Sequence, residues 1–164
     1  NLGDCRAVLC NSKNIAVALT KDHKPDSFEE RIRIEKLGGK IYLDGTDYRI
    51  KDLSVSRSFG DMDAHPYVTH VPEIFKYNFS SKDKFVILGC DGLWDVLSNQ
   101  DAVDFILNKL KEIKKSDFRT MSGNSSNNIA KELAEYAIKK GSYDNISIIL
   151  IFFLEKDKII KISY

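Results

Sequence analysis

The stretch "GCDGLWDV", residues 89–96, sets Asp91 and Asp95 directly after the apolar run "FVILG" and on either side of Trp94 and its neighbours. Two more aspartates stand at strand borders, Asp4 before "CRAVLC" and Asp144 before "NISIILIFF". If "FVILG" and "NISIILIFF" are antiparallel neighbours, the end of one and the start of the other share a sheet edge, and Asp91 approaches Asp144. A coil after Gly92 would put Asp95 on the same side as Asp91, because residues four apart are helix neighbours. Carboxylates gathered in this way repel one another unless a cation neutralises them. An oxygen-only set of this kind suits the hard ions magnesium and manganese. Taken singly, each aspartate also reads as a turn or cap residue, and Asp-Gly is an ordinary turn pair.

The elements that would position these residues follow from pattern. "CRAVLC" (5–10) and "NIAVALT" (14–20) are rich in β-forming types and flank the polar turn "NSK", which reads as a hairpin. In "PDSFEERIRIEKLGG", Ser27 and Glu30 have capping-box spacing and Gly38 sits where a helix stops, so a short helix is expected. "KIYLDGTDYRI" holds two strand-like pieces around Asp-Gly, and "EIFKYNF" and "KFVILGC" are further strand candidates. Past "DGLWDVLS" the period changes to helical: Ser98 caps a helix in which Ala102, Val103, Ile106, Leu110 and Ile113 share one face. A polar loop, "SDFRTMSGNSSN", leads to a second amphipathic helix with Ile129, Leu133, Tyr136 and Ala137 inward and Gly141 as its stop. "NISIILIFF" is the final strand, and "EKDKIIKISY" a Lys-rich tail over 155–164. Strands bunched at both ends with helices between them predict an α+β fold in which sheets pack between helices.

Composition narrows the class. Across 164 residues, hydrophobic types make up 43% and charged types 30%, enough apolar material for one folded domain. Lys plus Arg number 25 against 24 Asp plus Glu, so no broad field exists to draw nucleic acid or an anionic membrane. No apolar run approaches the roughly eighteen residues of a membrane span. Cys5, Cys10 and Cys90 lack the spacing of a zinc site or a disulfide framework and read as small apolar residues, which favours a reducing compartment, cytoplasm or nucleus. The chain opens at "NLGDCRAV" without Met, as if inside a structural unit, and its strands barely suffice for two sheets. A fragment is therefore expected, one that associates with itself through exposed strands.

Five strings, "NLGDCRAVL", "LTKDHKP" with "EERIRIEKLGG", "LSVSRSFGD", "FVILGCDGLWDVLS" and "GSYDNISIILI", occur in the order in which the metal-dependent protein serine/threonine phosphatases of the type 2C (PPM) family carry closely similar motifs. The chain resembles the C-terminal part of that domain over residues 1–154. The resemblance implies a β-sandwich flanked by helices, here incomplete because the N-terminal half is absent, with a dinuclear magnesium or manganese centre in a cleft. Matched position by position, Asp91 and Asp144 are ligands of that centre, and Asp4 and Asp95 join Asp91 around a weaker third metal. Residues 24–52 match a flap beside the cleft. The implied reaction is hydrolysis of phosphoserine and phosphothreonine on phosphoprotein substrates by an activated water, with no protein nucleophile.

Departures from the pattern matter as much. The family's Asp-Gly-His-Gly element and its phosphate-gripping arginine are not in this sequence, and His23, His65 and His70 cannot replace them because none follows Asp-Gly. Metal affinity and turnover of this chain alone are therefore expected to be low. Arg57 and Asp61 in "SRSFGD", like Gly92, read as structural motif positions, a buried charge needing a partner. Trp94 and Cys90 read as packing, and His23 as structural or surface. The competing function is an interaction module of the same fold without turnover, a pseudophosphatase; a nucleic-acid binder lacks any basic-aromatic stripe.

Overall fold

The computed structural model describes residues 1–112 and 128–153. In chain order its elements are β1 (Arg6–Cys10), β2 (Ala16–Ala18), α1 (Phe28–Lys36), β3 (Ile41–Asp44), β4 (Asp47–Ile50), β5 (Phe85–Gly89), α2 (Asp91–Trp94), α3 (Asn99–Glu112), α4 (Ile129–Lys139) and β6 (Ile148–Phe152). A turn of 3-10 helix, Met62–Ala64, lies before β5. The chain divides into two compact units, Asn1–Cys5 with Thr20–Lys76, and Arg6–Leu19 with Tyr77–Tyr164. The architecture is α+β with antiparallel sheets, as expected.

The second unit carries a four-stranded antiparallel sheet in the order β2-β1-β5-β6. β5, apolar at every position, takes the protected place between β1 and β6, where its register sets Ile87 opposite Val8 on one side and Leu150 on the other. Val8, Cys10, Phe85 and Ile87 project to the face that α3 and α4 cover with Val103, Ile106, Leu110, Ile129 and Leu133, and all are fully buried or nearly so. The stacked rings of Phe105 and Tyr136, 4.8 Å between centroids, join the two helices. The helical period of the sequence is thus spent on one core, the arrangement that buries an amphipathic stripe against a sheet.

One expected strand is not formed. "EIFKYNF" forms no strand; Tyr77 and Phe79 instead pack edge to face, and Phe79 packs on Phe153, so ring contact stands where a ladder was expected. The final strand pairs only with β5 among the described residues, and Ile149 and Ile151 are 60% and 45% exposed. Of the expected sandwich, the described residues of this unit therefore supply one sheet and the helices on one face of it. Ile113, the polar loop and the Lys-rich tail lie outside the described residues.

In the first unit, Ile34 of α1 and Ile50 of the β3–β4 hairpin build a small core with Ala64 of the 3-10 turn and Val68 beyond it. The hairpin turns through Gly45 and Thr46, with Asp44 opposite Asp47. Ser27 is the N-cap of α1, but its hydroxyl donates backwards to the Lys24 carbonyl and Glu30 does not complete a capping box. Glu30 turns inward, where it has two guanidinium partners, and charge-assisted bonds to a buried carboxylate outweigh one exposed backbone cap.

Candidate functional site

Register brings the segments that carry two of the four aspartates to one sheet end. Gly89 pairs with Ile148 at the last rung of the β5–β6 ladder, so the chain leaving β5 through Asp91 meets the chain entering β6 through Asp144 at one sheet end. Beyond that rung β5 turns at once into α2, whose first residue is Asp91, with Cys90 as its N-cap. The Asp91 carboxylate accepts from the Gly92 N–H at 2.9 Å and that of Asp144 from the Asn145 N–H at 2.6 Å, local bonds that fix each side chain against its own backbone.

The two segments touch. A Cβ on Gly92 would lie 2.4 Å from the Asn145 carbonyl oxygen, a backbone contact that cannot give way, so only glycine admits this approach. Ser142, buried, donates from Oγ to the Gly92 carbonyl at 2.7 Å. Cys90 N–H donates to the Ser147 carbonyl at 3.2 Å. Asp95 is exposed on the turn after α2 and, with Asp144, Tyr143, Ser142, Gly92 and Val96, lines a cleft of about 370 Å³. Trp94 lies beneath, donating from Nε1 to the Gly89 carbonyl at 2.8 Å, with the Arg6 guanidinium 5.3 Å above its ring centre.

Asp4 belongs to the first unit, where its carboxylate accepts from the Lys24 ammonium. That unit also holds Arg57 and Asp61, which do not pair with each other. Arg57 donates to Glu30 from Nη2 at 2.5 Å and Nε at 3.1 Å, and to the Val71 carbonyl, while Asp61 accepts from the Ser58 hydroxyl. Glu30 also receives Arg33 at 2.8 Å and the Ser56 hydroxyl at 2.7 Å. Burial would raise the Glu30 pKa, yet the hydrogen bonds of Arg57, Arg33 and Ser56 prevail and hold it at about 2. His23 is buried with Nε2 3.2 Å from Glu73, and His65 and His70 are exposed. Cys10, buried in the core, has its thiol pushed up to about 12 by burial and stays protonated.

As a cation site the second unit fits in donor chemistry and falls short in number. Its donors at the sheet end are carboxylate oxygens, the type hard divalent ions select. Among the described residues, however, no three His, Cys, Asp or Glu side chains converge into a group able to hold a metal. Sequence reading missed Ser142, whose motif "GSYDN" was noted but whose partner lies fifty positions away, and missed Glu30, which looked like a cap.

With this geometry in hand, comparison with known proteins is specific. The model of the family described as "Protein phosphatase 2C" matches residues 1–146. A PP2C-like domain-containing protein of Acanthamoeba polyphaga mimivirus is 47% identical over 93% of this chain and 92% of its own length. "Probable protein phosphatase 2C 57" of Oryza sativa subsp. japonica is 40% identical over 93% of this chain, which spans only 40% of that relative. Among solved structures, a phosphatase from a pathogenic strain of Toxoplasma gondii superposes with a TM-score of 0.71 at 30% identity, covering 94% of this chain and 47% of that one. A C. elegans sex determining protein superposes with a TM-score of 0.86 at 25% identity, covering 99% and 38%. The chain belongs to the protein phosphatase 2C family.

Proposed function

We propose that this chain carries part of the metal centre of a protein phosphatase that hydrolyses phosphoserine and phosphothreonine, with Asp91 and Asp144 as ligands to magnesium or manganese. The observation that supports this most is the contact of Gly92 with Asn145, which brings the neighbours of those two aspartates together at one sheet end. Two carboxylates alone bind such ions weakly, so full occupancy needs further ligands such as the Asp-Gly-His-Gly element that the family resemblance implies and this sequence lacks. When bound, a pair of such ions supplies an ionised water near neutral pH and positive charge against the phosphoryl oxygens.

The chain's own residues have three tasks in that reading. Asp91 and Asp144 present oxygens from opposite segments, each oriented by the backbone N–H that follows it. Ser142 and Gly92 lock those segments together, and Asp95 and Tyr143 border the open cleft through which a phosphorylated side chain enters. Trp94 fills the space beneath and keeps water from the rear of α2.

The test is manganese-dependent hydrolysis of a phosphopeptide by a chain extended with the family's upstream elements. Asp91→Ala should lower the rate by at least about a hundredfold, on the scale set by loss of a metal ligand. The present chain alone should turn over slowly or not at all. Turnover that survives Asp91→Ala would refute the assignment, and an extended chain that binds manganese without hydrolysis would favour an interaction module instead.

A further inference from the structure

Cys90 sits where the sheet ends and the site begins. With Gly89 opposite Ile148, Cys90 faces Ser147, a position at which antiparallel partners alternate between exchanging two N–H···O bonds and none. One of the two is made, from Cys90 N–H to the Ser147 carbonyl at 3.2 Å. The Cys90 carbonyl has left the sheet and accepts instead from the N–H groups of Leu93 and Trp94, at 3.1 and 3.4 Å, opening α2. Ser147 N–H then donates to Cys90 Sγ at 3.2 Å. The same thiol donates to the Asn145 carbonyl at 3.2 Å.

The side chain thus takes the place of the missing ladder carbonyl. It lets the main chain bend away to carry Asp91 while its partner segment stays in register. We propose that Cys90 is a positioning residue: its thiol, as acceptor from Ser147 and donor to Asn145, fixes the spacing between the backbones of Asp91 and Asp144 and so sets the affinity of that pair for a hard cation. The proposal rests on the reading of Asp91 and Asp144 as ligands. Water can solvate Ser147 N–H and the Asn145 carbonyl if the thiol is lost, so the fold should survive; water cannot hold the two segments at a fixed distance. Residues that orient ligands without touching the ion typically change affinity ten- to a hundredfold when removed.

The experiment titrates the chain with terbium, read by luminescence sensitised through Trp94 and Tyr143, and with manganese, read by broadening of the backbone amide signals of residues 91–92 and 144–145. Cys90→Ala should weaken binding about tenfold or more. Cys90→Ser, which keeps a donor and an acceptor, should return most of that loss, and circular dichroism should report both variants folded. A Cys90→Ala chain that binds like wild type while Asp91→Asn abolishes binding overturns the role of Cys90 alone. Equal weakening by alanine and serine also overturns it, since only packing would then matter. Because two carboxylates bind weakly, the titration runs to millimolar ion, and a wild-type chain that shows not even that weak, saturable binding overturns the ligand reading and this proposal with it. Should Cys90→Ala fail to fold, hydrogen exchange in the wild type decides: slow exchange at Ser147 N–H supports the thiol acceptor, and exchange at the rate of an open loop refutes it.

Discussion

At Glu30 one buried carboxylate meets two guanidinium groups and a hydroxyl, while the residue's place in the chain suggests nothing beyond a helix cap. Its folded pKa of about 2 lies below the reference value of 4.5, so its contribution to stability is complete above pH 4.5 and is lost as pH falls toward 2. The expected size is roughly 3 kcal/mol, on the order of what breaking a buried pair costs. Urea unfolding followed at pH 6 and at pH 3 should show the first unit weakened at the lower pH. Glu30→Gln should weaken it at pH 6 by a similar amount and flatten the acid dependence; an unchanged pH slope would remove Glu30 as its origin. Arg57 shows the same logic from the other side. The sequence required some partner for it, and space rather than chain proximity chose Glu30 over Asp61.

Among the elements, α3 shows how far local chemistry carries. Ser98 and Asp101 cap its start reciprocally: the Asp101 N–H donates to Ser98 Oγ at 3.1 Å, and the Asp101 carboxylate accepts from the Ser98 hydroxyl at 2.6 Å and from its backbone N–H at 3.3 Å. That bond to Ser98 is the first cause holding the Asp101 carboxyl below its ordinary range. Ser98→Ala should cost about 1 kcal/mol in chemical denaturation and leave the fold intact; a neutral substitution would mean that the cap adds nothing to the packing of Ala102, Val103 and Ile106. Strands behave differently. β5 and β6 were legible as apolar runs, and their pairing placed Asp91 and Asp144 at one end. "EIFKYNF" has the same β-forming composition, yet without a partner backbone its rings found each other.

For the whole molecule, the edge of β6 that is unpaired among the described residues is the feature with the largest consequence. Residues 145–153 carry no charge, and Ile149 and Ile151 point outward from a strand paired on one side among the described residues. Edges in soluble proteins are normally blunted by charge or proline, and this one is not. The chain is expected to self-associate through it, with a sedimentation coefficient that rises with concentration. Ile149→Lys together with Ile151→Lys should return it to a monomer. A wild-type chain that sediments as one monodisperse monomer at all concentrations would show that the edge is covered in solution. The chain spans less than half of the plant relatives and solved structures compared with it, and nearly all of the mimiviral one.

The sequence by itself determined the α+β class, the helical faces, the hairpins and which aspartates stand at strand borders, because period, turn chemistry and motif are local properties of the chain. Only tertiary structure decided that the Asn145 carbonyl presses against Gly92, that Ser142 reaches the Gly92 carbonyl, that the Cys90 thiol replaces a ladder carbonyl and that Glu30 gathers two arginines. Each of these joins residues far apart in the chain, and their partners are fixed by strand register and by the cost of leaving a buried polar group unpaired, neither of which a local pattern records.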